Sequence, residues 1–238
     1  MNRRFVVLPT RSDVEVRVAD QLLTEILLAV ASHGRADVVV TGGTVGIGVL
    51  GAVSRNHRAH DVDWSRVHVW WGDERFVPVG HADRNDHQAQ DALFDHIAIP
   101  VENLHSFPHD DGQSVETARD EFLAEYPDGF PQFDVALNGI GPDGHAASLF
   151  PGRDHGESVS VIAVRDSPKP PAERLSFTLG ILNRSRHVWI VASGTDKADA
   201  IRRIAENSPT SDTPAAGLSG VVDTVVWLDA DAAALLPD

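Results

Sequence analysis

Short apolar runs rich in β-branched residues recur along the whole chain, at residues 5–8, 37–41, 67–71, 133–137, 159–164, 187–192 and 224–228. Several are too apolar to leave one face in water, so they read as strands buried on both sides. The stretches between them have the length of helices: 13–32, 44–54, 85–94, 114–125 and 196–206. In the first of these Val14, Val18, Leu22, Ile26 and Val30 recur at helical spacing with Leu23 and Leu27 beside them, Ser12 reads as the cap, and Gly34 ends the pattern. Strand and helix alternating in this way predict an α/β fold with a largely parallel sheet flanked by helices. The Pro- and Gly-rich breaks Tyr126-Pro127-Asp128-Gly129-Phe130-Pro131 and Ser167-Pro168-Lys169-Pro170-Pro171 are turns too short to link domains. With 238 residues and no internal repeat, the expectation is a single domain spanning residues 1–238.

Charge and cysteine content narrow the chemistry. Twenty Lys and Arg against 35 Asp and Glu give a net charge of −15, which argues against nucleic acid or an anionic membrane as partner. A small phosphorylated ligand then needs a few local donors to overcome the general repulsion. The absence of cysteine removes disulfides, thiolate nucleophiles and thiolate zinc sites. The apolar run after Arg3 and Arg4 is too short for a secretory signal, and no later run approaches a membrane span. A soluble, cytoplasmic protein is expected, a monomer or small homo-oligomer.

In open α/β sheets ligands bind in the loops beyond the carboxyl ends of the strands, and four such loops carry candidate chemistry. Thr41-Gly42-Gly43-Thr44 runs from a strand into a helix, where glycines admit a ligand close to the backbone and free N–H groups favour an anion; an ordinary glycine turn is the alternative. Immediately after it, Gly46, Gly48 and Gly51 satisfy the dinucleotide-binding pattern but begin inside the helix rather than at the turn, so they read as packing glycines. Gly72-Asp73-Glu74-Arg75 places two carboxylates and a guanidinium after a strand, as a substrate clamp or a local salt-bridge cluster, and alternation lets only one of Asp73 and Glu74 face a site. Gly139-Ile140-Gly141-Pro142-Asp143-Gly144-His145, read as a strand-to-helix crossing, brings an imidazole next to a carboxylate suited to orient it as a base. Ser193-Gly194-Thr195-Asp196-Lys197 sets Lys197 in the first turn of a helix, where the dipole disfavours it unless an anion is near; a solvated lysine is the alternative. Arg174, before another apolar stretch, is a fifth basic candidate.

Taken in order, Thr41-Gly42-Gly43-Thr44, Trp71-Gly72-Asp73-Glu74-Arg75-Phe76-Val77-Pro78, Gly141-Pro142-Asp143-Gly144-His145-Ala146-Ala147-Ser148-Leu149-Phe150-Pro151-Gly152, and Gly194 with Lys197 resemble the 6-phosphogluconolactonase family, which belongs with the glucosamine-6-phosphate deaminases. The resemblance implies a doubly wound, Rossmann-like domain that hydrolyses 6-phospho-D-glucono-1,5-lactone to 6-phosphogluconate in the oxidative pentose phosphate pathway, without metal or organic cofactor. It implies His145 as general base with Asp143 orienting it, and Gly42, Gly43, Thr44, Asp73, Arg75, Gly141, Arg174 and Lys197 around the substrate. N–H groups of the glycine-rich loop are candidate oxyanion donors. Two positions depart from the family pattern: Val45 replaces a proline, and Arg84 replaces the serine of a Ser-Asn pair, adding a positive charge that can serve phosphate. The deaminase branch needs a glutamate where this chain has Phe150, which cannot relay a proton. A sugar-phosphate sensor with a DNA-binding module and a nicotinamide dehydrogenase are both disfavoured, the first by length and charge, the second by the glycine register.

Overall fold

The structure is a computed structural model that describes residues 3–155 and 159–236. In chain order its strands and α-helices are β1 (Arg4–Leu8), α1 (Arg11–His33), β2 (Ala36–Val40), α2 (Gly43–Arg55), β3 (Val67–Trp71), β4 (Asp73–Arg75), α3 (Asn85–Ala92), β5 (Leu104–His105), α4 (Val115–Ala124), β6 (Val135–Gly139), β7 (Val161–Val164), β8 (Arg174–Phe177), α5 (Leu179–Leu182), β9 (His187–Ala192), α6 (Ala198–Ala205) and β10 (Asp223–Asp229). Seven strands form one parallel sheet in the order β1-β10-β9-β6-β2-β3-β5. Every residue of β2 is buried, including Asp37, whose carboxylate accepts from Trp70 Nε1 and pairs with Arg35.

Helix α1 begins two residues earlier than the apolar period suggests, because Thr10 rather than Ser12 is the cap: its side chain accepts from Asp13 N while Asp13 bonds back to Thr10 N. Such a reciprocal cap contributes about 1 kcal/mol. Gly34, at φ 83°, closes the other end. The buried face carries Val14, Val18, Leu22, Leu23 and Ile26. Gly48 of α2 faces Glu15 of α1, and a Cβ on Gly48 would lie 2.2 Å from the Glu15 carboxylate, while one on Gly46 would lie 2.5 Å from Thr41 O. These glycines therefore serve close packing, as their register predicts.

A second sheet is not announced by the apolar pattern, which marks only one of its three strands. The antiparallel strands β4, β8 and β7 pair Asp73 with Ser176, Arg75 with Arg174, and Val161 with Phe177. The run at 159–164, expected in the parallel sheet, belongs here instead. Strands β4 and β8 are short and polar, so neither shows an apolar signal. Gly72 joins the sheets, donating N–H to Val40 O and accepting from Phe177 N. The third motif also departs from expectation: no helix comes after β6, and residues 140–149 form a compact turn with isolated bridges from Ala146 to Ile140 and Leu149.

Near the β5 edge, Trp70 stacks on His105 with ring centroids 3.9 Å apart. His105 shares hydrogen bonds with His68 Nδ1 (2.9 Å) and the Tyr126 hydroxyl (3.3 Å). Burial, helped by His68 and Arg35 and opposed by Asp37, pushes His105 from its ordinary 6.5 down to about 4. A depressed histidine pKa means that the folded state binds fewer protons, so this contribution to stability is complete above about pH 6.5 and declines as pH falls toward 4. Melting curves between pH 7.5 and 5 are expected to show a decline in Tm that is smaller in His105→Phe, which keeps the stacking but cannot titrate; an identical decline would exclude His105 as a source.

Candidate active site

Strands β2 and β6 are neighbours, yet the chain proceeds from β2 toward β3 and β5, and from β6 in the opposite direction toward β9 and β10. Their outgoing loops diverge, which opens the crevice where α/β sheets hold ligands. A cleft of about 610 Å³ lies there, lined by the loop after β2, the turn after β6, strands β4 and β8, and the loop after β9. Nine of the ten residues singled out in sequence line it: Gly42, Gly43, Thr44, Asp73, Arg75, Gly141, His145, Arg174 and Lys197. The tenth, Asp143, stands behind His145.

The turn after β6 builds the imidazole–carboxylate pair. Gly141 N donates to His145 O (2.9 Å) and Gly144 N to Gly141 O (3.0 Å), closing the chain on itself. A Cβ on Gly141 would fall 2.1 Å from His145 Nδ1 and 2.3 Å from Asp143 Oδ1, so only glycine fits. His145 Nδ1 meets Asp143 Oδ1 at 2.6 Å, and His145 N donates to the same oxygen at 3.3 Å. Burial pushes the Asp143 carboxyl up, but the hydrogen bond and charge of His145 outweigh it and bring Asp143 down to about 2. Asp143 is therefore an acceptor at neutral pH, and the Nδ1 position carries the proton between them. The Phe150 ring lies 4.8 Å from the imidazole. Gly141 and Gly144 spend their N–H groups on the turn itself, so these two are not oxyanion donors.

The N-terminus of helix α2, anticipated from its glycines as a place for an anion, opens on the cleft. Gly42 caps it without a side-chain hydrogen bond, the first turn holds no acid, and Gly43 sits at φ 78°. A Cβ on Gly42 would lie 1.8 Å from Asn85 Oδ1 and 3.1 Å from Arg75 Nη1, which shows how closely both side chains approach this terminus. Among the described residues Arg75 forms no ion pair. Asp73, 9% exposed, accepts from the Ser148 hydroxyl at 2.6 Å, and Asn85 Nδ2 donates to its carbonyl at 2.8 Å. Glu74 points the other way, as alternation requires, and its carboxylate accepts from the backbone N–H groups of Arg75, Asn85 and Asp86.

Arg174 is buried opposite Arg75, with Nε on Pro171 O (2.9 Å) and Nη2 on Lys169 O (3.0 Å), and so braces the loop at 167–171 over the cleft. Lys197 ends a single 3-10 turn (Thr195–Lys197) before α6 rather than lying inside the helix, and pairs with Asp196 at 3.0 Å. The reading of Arg84 as a cation for phosphate is corrected: it is 2% exposed, bonded to the Asp86 carboxylate and Phe107 O, and absent from the cleft wall. Sequence reasoning passes over Arg11, Asn85 and Lys169, which also line the cleft. Lys169 lies in a segment that reads only as a turn, and Arg11 in the opening of an amphipathic helix; no local pattern marks either. Arg11, Arg75, Lys169, Arg174 and Lys197 face Asp73 and Asp196 there, a local positive excess within a strongly acidic chain.

Comparison with known proteins accords with this geometry. The family model described as glucosamine-6-phosphate isomerases/6-phosphogluconolactonase matches residues 9–227. A 6-phosphogluconolactonase of Mycobacterium leprae is 44% identical over 91% of this chain and 92% of its own length. The crystal structure of 6-phosphogluconolactonase from Thermotoga maritima superposes with a TM-score of 0.85 at 25% identity, covering 96% of this chain and all of that one. A monomeric glucosamine-6-phosphate deaminase shares the fold, with a TM-score of 0.80 at 19% identity over 98% of this chain and 99% of its own. The chain belongs to the glucosamine-6-phosphate isomerase/6-phosphogluconolactonase family.

Proposed function

We propose that this protein hydrolyses 6-phospho-D-glucono-1,5-lactone to 6-phosphogluconate, in the cytoplasm, as one domain acting alone or in a small homo-oligomer. The observation that carries the reading is the Asp143–His145 pair beside a cation-lined cleft. His145 Nε2 takes a proton from water as its oxygen attacks the lactone carbonyl carbon. The tetrahedral intermediate then collapses, the bond from that carbon to the ring oxygen breaks, and the imidazolium returns the proton to the departing alkoxide. Asp143 holds the Nδ1–H and stabilises the imidazolium between the two transfers. The phosphate and hydroxyls of the substrate are held by Arg75, Arg174 and Lys197, the α2 N-terminus and Asp73. Phe150 beside the imidazole supports lactone hydrolysis over aminosugar deamination, since a phenyl ring moves no proton.

The purified protein is expected to accelerate opening of the lactone, generated in situ by glucose-6-phosphate dehydrogenase, above the spontaneous rate. His145→Ala removes most of that excess, about a hundredfold or more in kcat. No excess over the spontaneous rate, or ammonia release from glucosamine 6-phosphate, overturns the assignment. Because Asp143 stays ionised far below neutrality, Asp143→Asn is expected to lower kcat by a similar factor across pH 5 to 8. A loss confined to one end of that range would argue against an orienting role.

Replacement of Arg75 or Lys197 by Met is expected to raise KM about tenfold with kcat little changed, as for cations that grip phosphate equally in ground and transition states. Steady-state kinetics on each variant decide it, and an unchanged KM excludes the residue from phosphate binding.

A further inference from the structure

Helix α6 starts immediately after Lys197, and its Arg203 reaches back to the catalytic turn. Every nitrogen of that guanidinium is engaged: Nε donates to Asp199 Oδ2 (3.0 Å), Nη1 to Asp212 O (3.1 Å) and Thr213 Oγ1 (2.9 Å), and Nη2 to Pro142 O (3.3 Å). The side chain thus joins its own helix and the nearby segment at residues 212–213 to the distant turn at Pro142. The segment it ties down also packs against the turn, since a Cβ on Gly144 would lie 2.8 Å from Thr213 Cγ2, and Ala215 N donates to Gly144 O at 3.0 Å. Pro142 has no N–H of its own. Its carbonyl therefore gives the outer arm of the turn a fixed point through Arg203.

We propose that Arg203 is a positioning residue for His145, acting through the Pro142 carbonyl to keep the Asp143 carboxylate on Nδ1. The peptide that Arg203 holds is the one leading into Asp143, so rotation of that peptide swings the carboxylate away from the imidazole. Arg203 does not line the cleft, and its loss should leave substrate binding intact while slowing turnover. Helix α6 then acts as one strut, with Lys197 at its start on the substrate and Arg203 farther along on the turn that carries the base.

The inference rests on the lactonase reading and is tested with Arg203→Met, which keeps the apolar stem, and Arg203→Lys, which keeps a charge for Asp199 but not the planar fork. Both variants are expected to melt within a few degrees of the wild type and to show kcat about tenfold lower with KM within twofold, as for a misplaced base. In an Asp143→Asn background, Arg203→Met should cost less than twofold, because the two act through one hydrogen bond. An unchanged kcat, a loss matched by KM, full recovery in Arg203→Lys, or the same tenfold loss in the Asp143→Asn background overturns the proposal. The His145 Nδ1 proton resonance checks the tether without turnover: it should broaden or vanish in Arg203→Met, and an unaltered signal is a contrary result. A wild type that fails to accelerate lactone opening overturns the function instead and leaves this resonance test standing.

Discussion

Strands β2 and β6 share a ladder although the chain leaves them in opposite directions, and the cleft exists because of that divergence. The loop after β2 turns into α2 and exposes a helix N-terminus, while the turn after β6 folds on itself and exposes an imidazole. Helix terminus and imidazole are thereby placed side by side by the strand order alone. The small antiparallel sheet then covers one flank. Its entry through Gly72, bonded to both sheets, allows Asp73 and Arg75 to face the cleft rather than solvent.

The net charge of −15 and an anionic substrate are reconciled at the same place. Five cationic side chains line the cleft, and the pairing elsewhere on the surface leaves their field largely local. Arg84, by contrast, lies outside the cleft wall, neutralised by Asp86 and fixed by backbone carbonyls.

Much of this architecture is readable from local pattern. Six of the seven parallel strands announce themselves through short apolar, β-branched runs, and α1 because its apolar face is periodic, whereas β5, two residues long, carries no such signal. Strands β4 and β8 are invisible to such a reading, since they contain charged side chains and are held by pairing between segments far apart in the chain. The catalytic turn stands out by its glycines, yet they suggest the entry to a helix that does not form: glycine content reports unusual backbone angles and is silent on the element beyond them. Asn85, Lys169 and Arg11 join the site through tertiary placement, which no spacing in the chain encodes. Thr10 displaces Ser12 as the helix cap because Asp13 completes the reciprocal bond only with Thr10.

The His145 imidazole and the Asp143 carboxylate lie two residues apart within a turn closed by its own backbone hydrogen bonds. In many hydrolytic sites such partners come from distant segments, and their alignment depends on the whole scaffold. Here both members of the pair come from one short turn, and the rest of the fold reaches their geometry through a few contacts, among them Arg203 on the Pro142 carbonyl. The Phe150 ring packed on the imidazole comes from the same short stretch, so the immediate surroundings of His145 can change by substitution within the turn while the pair itself stays in place.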